Sequence, residues 1–113
     1  MNYNTTAQEV RSEAMALHKV APDTMTAFHG LMKAASKDGA LSSKVKELMA
    51  VAISIATRCE GCIIFHVQNA IRHGASREEL VETISVAIEM GGGPATVYGG
   101  KALGAFDELH RCQ

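Results

Sequence analysis

Val45-Lys46-Glu47-Leu48-Met49-Ala50-Val51-Ala52-Ile53-Ser54-Ile55-Ala56-Thr57-Arg58-Cys59-Glu60-Gly61-Cys62-Ile63-Ile64-Phe65-His66 is the stretch whose reading decides the fold. Its first half is apolar on nearly every side, the pattern of a central, buried helix, and Ser42 or Ser43 can cap its start. After Thr57-Arg58 the cysteine pair interrupts it. Helical spacing then resumes, with Ile63, Ile64, Val67, Ala70 and Ile71 on the inward side until Gly74 stops the helix.

The same periodicity extends to both sides. Upstream, Val10, Ala14 and Leu17 are helically spaced, and Pro22 restarts the chain as a good first-turn residue. The helix it opens carries Met25, Phe28, His29 and Met32 on one stripe and gives out near Lys37-Asp38-Gly39. Downstream, Ser76-Arg77-Glu78-Glu79 is a capping box, in which a hydroxyl and a carboxylate each satisfy a free amide. Leu80, Ile84, Ala87 and Ile88 share a face of that helix. Gly91-Gly92-Gly93 ends it, and Pro94 begins a last helix with Tyr98, Ala102, Ala105, Phe106 and Leu109 inward. The expectation is an all-α bundle of about six helices in one domain over residues 1–113, with no repeat and no strand.

Composition agrees. Apolar residues make up 47% but aromatics only 4%, so the interior must be built from Ala, Val, Ile, Leu and Met in closely packed helices. A chain of 113 residues buries only about two-thirds of its unfolded surface, which makes oligomerisation a natural way to complete the core. Eleven basic residues nearly cancel twelve acidic ones and are scattered, which argues against nucleic acid as a partner. The longest apolar stretch, around Leu48 to Ala56, is about half the roughly 20 residues of a membrane span. The opening residues from Met1 to Thr6 lack the basic and apolar parts of a signal peptide, so a cytoplasmic location is expected. In a reducing compartment a C-x-x-C pair reads as redox or metal chemistry rather than as a structural framework. Cys112 reads as an incidental thiol.

Cys59 falls just before a helix and Cys62 in its first turn, where free amides and the helix dipole favour a thiolate. The spacing allows one thiol to attack an oxidant and the other to resolve the sulfenic acid as an internal disulfide. His66, four residues after Cys62, lies on the same face and can take a thiol proton. Glu47 is the odd acid in an apolar helix. Buried there it needs a partner, for which His66 is a candidate. Geometry restrains that pairing: Glu47 stands roughly 15 Å before the end of its helix and His66 only about 6 Å beyond Cys62. Either the helices cross steeply, or the connection is longer, or Glu47 serves a site completed by another subunit. His18, His29, His73 and His110 read as surface or structural residues, a site-lining role for His29 being the lesser alternative.

Glu47, eleven residues, Cys59-x-x-Cys62, three residues and His66, followed by Gly74-Ala75-Ser76 and a Glu-rich helix start, resemble the alkylhydroperoxidase D and carboxymuconolactone decarboxylase superfamily in its C-x-x-C branch. The similarity covers approximately residues 41 to 90. It implies an all-helical fold assembled into trimers or hexamers and a dithiol that reduces hydroperoxides or passes electrons to a peroxiredoxin. By matching position Cys62 would attack the peroxide and Cys59 resolve it, with His66 and Glu47 as proton relay. Accessibility in C-x-x-C motifs in general would instead favour Cys59 as nucleophile. Gly61 stands where better-known peroxidases of the family carry histidine. No flavin, haem or nucleotide signature is present, so a lipoyl, thioredoxin-like or peroxiredoxin-like protein would supply electrons.

Two other classes remain open. Cys59, Cys62 and His66 could ligate zinc, with Glu47, His73 or Cys112 as fourth ligand. A non-catalytic oligomer or adaptor would also use these apolar helices.

Overall fold

The computed structural model describes residues 2–111; the expectation for Cys112 falls outside them. Six α-helices are present among the described residues: α1 (Tyr3–Val20), α2 (Pro22–Ser36), α3 (Ser43–Ala56), α4 (Glu60–Arg72), α5 (Arg77–Gly91) and α6 (Gly93–His110). Their starts follow from local chemistry. Asn2 and Ser42 cap α1 and α3 by accepting the Thr5 and Val45 amides, Pro22 opens α2, and Ser76 and Glu79 form the reciprocal box of α5. Gly92 alone separates α5 from α6, its φ of 71° reached without the Cβ cost other residues meet.

The hub is α3, which packs against α4, α5 and α6. Val51 and Ile55 meet Ile63, Ile64 and Val67 of α4, Leu80 of α5, and Phe106 and Leu109 of α6 in one core. Gly99 is buried where α6 passes α5, and a Cβ there would stand 2.7 Å from a methyl of Ile84. Ion pairs tie the corners: Lys44 to Glu79 at 2.8 Å and Arg77 to Asp107 at 2.9 Å. The start of α1 is held by Glu108 of α6, whose carboxylate accepts the Tyr3 amide at 2.9 Å and the Asn4 amide at 2.7 Å. Those two bonds hold the Glu108 carboxyl below its ordinary range.

One expectation needs correction. The central helix α3 is buried on one face only: Met49 is 48% and Ile53 61% exposed. On α2 no residue of the stripe is fully buried: Met25 and Met32 are half-buried and Phe28 is 52% exposed. The reason is topological. The hairpin of α1 and α2 lies against one side of the bundle, and among the described residues no further element covers the remaining apolar faces.

Candidate functional site

The segment between α3 and α4 is short and tightly bonded. The Arg58 amide donates to Ile55 O and the Cys59 amide to Ser54 O, closing α3 with the paired bonds usual at a left-handed terminus. The left-handed residue is Arg58, with φ of 58°, where glycine is the common choice; at the end of α4 the same pattern uses Gly74. The chain therefore turns at once into Cys59, the N-cap of α4, whose Sγ accepts the Cys62 amide at 3.2 Å. Cys59 and Cys62 are joined as a disulfide with Cα atoms 5.2 Å apart. Cys59 is half-buried and Cys62 exposed. Glu60, between them, is paired with Lys101 of α6 at 3.1 Å, which anchors the helix start to the bundle.

Deeper in the fold, Glu47 is only 5% exposed and lies 2.7 Å through Oε1 from His66 Nδ1. The pairing is made within one chain. The offset is smaller than the distance from Cys62 suggests, because α4 already begins two residues earlier, at Glu60. Counted from the true helix ends, Glu47 is roughly 13 Å before the turn and His66 about 9 Å after it, an offset that two long side chains span. A carboxylate on Nδ1 holds the proton there, so the neutral ring keeps its lone pair at Nε2. Phe65 packs edge-on against the imidazole, with centroids 5.0 Å apart. Among the described residues no buried side-chain nitrogen or oxygen lacks a partner.

Both Glu47 and His66 face a cavity of about 500 Å³ whose wall includes Asn69, Lys46 and Ser36. Sequence reading missed Asn69 and Lys46. The available signal was position: Asn69 is three residues after His66 on the same helix face, and Lys46 adjoins Glu47. His29 lines this cavity and a second one beside Gly61, while His73 and His110 are exposed and line neither. Among the described residues no group of three or more His, Cys, Asp or Glu side chains is arranged to hold a metal ion. None of the helices described is long and apolar enough to cross a membrane.

Fold and site together define an all-helical protein with a paired-cysteine helix start backed by a carboxylate–imidazole pair. The pattern of the carboxymuconolactone decarboxylase family matches residues 22–107, and the chain belongs to that family. An uncharacterised protein of Cupriavidus necator is 46% identical over 94% of each chain. A family member from Legionella pneumophila, solved in its apo form, is 42% identical, covers 96% of each chain and superposes with a TM-score of 0.92. A member from Thermotoga maritima with a suggested role in antioxidative response is 27% identical over 88% of this chain and 91% of its own, with a TM-score of 0.74.

Proposed function

We propose that this protein is a dithiol/disulfide oxidoreductase that reduces organic hydroperoxides in antioxidant defence. The observation that carries the reading is the Cys59–Cys62 disulfide at the start of α4, one turn from an imidazole held by a buried carboxylate. A dithiol that closes to a disulfide and reopens needs its two thiols within one helical turn, as Cys59 and Cys62 are.

In the reduced protein the exposed Cys62, at the third position of α4, is favoured as a thiolate by the amides and dipole of the helix start. Its sulfur attacks the terminal peroxide oxygen. The O–O bond breaks, the alkoxide takes from His66 Nε2 the proton that the Cys62 thiol had passed to it and leaves as alcohol, and Cys62 becomes a sulfenic acid. Cys59 gives its proton to the imidazole and attacks the Cys62 sulfur; hydroxide leaves and departs as water once protonated. Glu47 balances the charge of His66 while it holds the proton. Two electrons have passed from two thiols to the peroxide, and a thiol donor protein, lipoyl-, thioredoxin- or peroxiredoxin-like, returns them by disulfide exchange. The apolar faces of α2 and α3 left exposed, with Phe28 and Ile53 among them, support a homo-oligomer, for which the family resemblance suggests a trimer or hexamer. A cytoplasmic location fits thiols that must be reduced to act.

Peptide mass spectrometry after one equivalent of cumene hydroperoxide tests this. The reduced peptide containing Cys59 and Cys62 should lose two hydrogens and both alkylation sites, and Cys59→Ser should trap a dimedone adduct on Cys62. Survival of both thiols would remove peroxidase chemistry.

A further inference from the structure

The second cavity, about 450 Å³, lies between α1 and α4 and is not used by the proton relay. That volume falls in the roughly 300–1,000 Å³ range of small-molecule sites. On the α4 side it follows one helix stripe, from Gly61 between the two cysteines through Ile64, Phe65 and Gln68 to Arg72. Its length along α4 is therefore about 16 Å. On the facing side α1 supplies Val10, Ala14 and Met15. His18 and His29 stack across the junction of α1 and α2, centroids 5.9 Å apart and planes within 13°.

Charge distinguishes this cavity from an ordinary apolar crevice. Every ionisable group lining it is basic: Arg11, Arg72, His18 and His29, with no Asp or Glu. Neither arginine forms an ion pair among the described residues; Arg72 makes one hydrogen bond, to Asn69 Oδ1 at 3.3 Å. Guanidinium groups beside apolar walls suit a carboxylate on a hydrocarbon chain. Gly61, the neighbour of Cys62, keeps this end of the cavity open, since a Cβ there would already touch Val10 at 3.4 Å and a longer side chain would enter the space.

We infer that this cavity binds fatty-acid-type carboxylates of medium chain length, with the carboxylate at Arg72 and the hydrocarbon running along α1 and α4 towards Gly61. The site deepens the peroxidase reading and rests on it for the chemistry: the substrate is a hydroperoxy fatty acid, reduced to the hydroxy acid and water as the two thiols close to a disulfide. Binding itself does not depend on turnover.

Calorimetric titration of the full-length oxidised protein with dodecanoate, dodecanol and butyrate separates the two claims. Dodecanoate should bind saturably, one per chain, at least tenfold tighter than dodecanol, and butyrate should not register. Arg72→Met should weaken dodecanoate about tenfold and Ala14→Trp should abolish its binding. Both residues are exposed, so helicity should be unchanged. Absence of dodecanoate binding, or binding indifferent to both substitutions, overturns the inference even if peroxidase activity is intact. Dodecanoate binding without any hydroperoxide reduction would keep the site and sink the peroxidase reading instead.

Discussion

Replacing Glu47 by glutamine is expected to slow oxidation of the dithiol by hydroperoxide about tenfold, for a reason that can be worked from one contact. Glu47 Oε1 lies 2.7 Å from His66 Nδ1, and the glutamate is 5% exposed while the imidazole side chain keeps a quarter of its surface. Glutamine has nearly the same shape and can still accept the Nδ1 proton, so the ring orientation survives. What is lost is charge. A hydrogen bond to a charged group contributes about 1.5–3 kcal/mol and a neutral one about 0.5–1.5, leaving a difference of roughly 1–1.5 kcal/mol in support of the protonated ring, close to the 1.4 kcal/mol of a tenfold rate change. His66→Ala removes the acid–base group itself and should cost about a hundredfold or more. Stopped-flow mixing of reduced protein with excess cumene hydroperoxide, read by alkylation and intact mass, gives the rate of disulfide formation. A Glu47→Gln rate within twofold of the parent, with the fold intact by circular dichroism, would refute the relay.

Three further outcomes concern the scaffold. Arg58→Gly relieves a left-handed residue at φ 58° that costs about 1–2 kcal/mol, partly offset by glycine's unfolded-state entropy of about 0.5–1 kcal/mol; thermal melting should rise by about 2–5 °C, and a fall would show the Arg58 side chain to be stabilising. Gly99→Ala would place a Cβ 2.7 Å from Ile84 Cγ2, and the overpacking should cost about 1–3 kcal/mol in urea unfolding. The Glu108 carboxyl is held below its ordinary 4.5 first by the Tyr3 amide and then by the Asn4 amide. Its contribution is therefore present above that value and lost as pH falls through the lower folded-state value. Hydrogen exchange should show the start of α1 opening as the solution is acidified below about pH 4.5, with Glu108→Gln already loosened at neutral pH and less sensitive to acid.

The helices were legible because their signals are local. Ser42, Ser76 and Glu79 bond amides within three residues of themselves, Pro22 needs only its own ring, and Gly74 and Gly92 supply positive φ where the chain must turn. The disulfide-capable pair was equally readable, since Cys59 and Cys62 meet within a single helical turn. Sequence alone thus determined the helix order, the position of the dithiol at a helix start and the identity of Glu47 and His66 as a pair to be explained. Only the tertiary structure decided that one chain joins them, because their contact spans nineteen residues and turns on where α4 begins. It also decided which side of each helix is covered. Periodicity shows that a helix has an apolar face but not what lies opposite it, so the exposed stripes of α2 and α3, and the basic cavity that α1 forms with α4, emerge only when the helices are placed against one another.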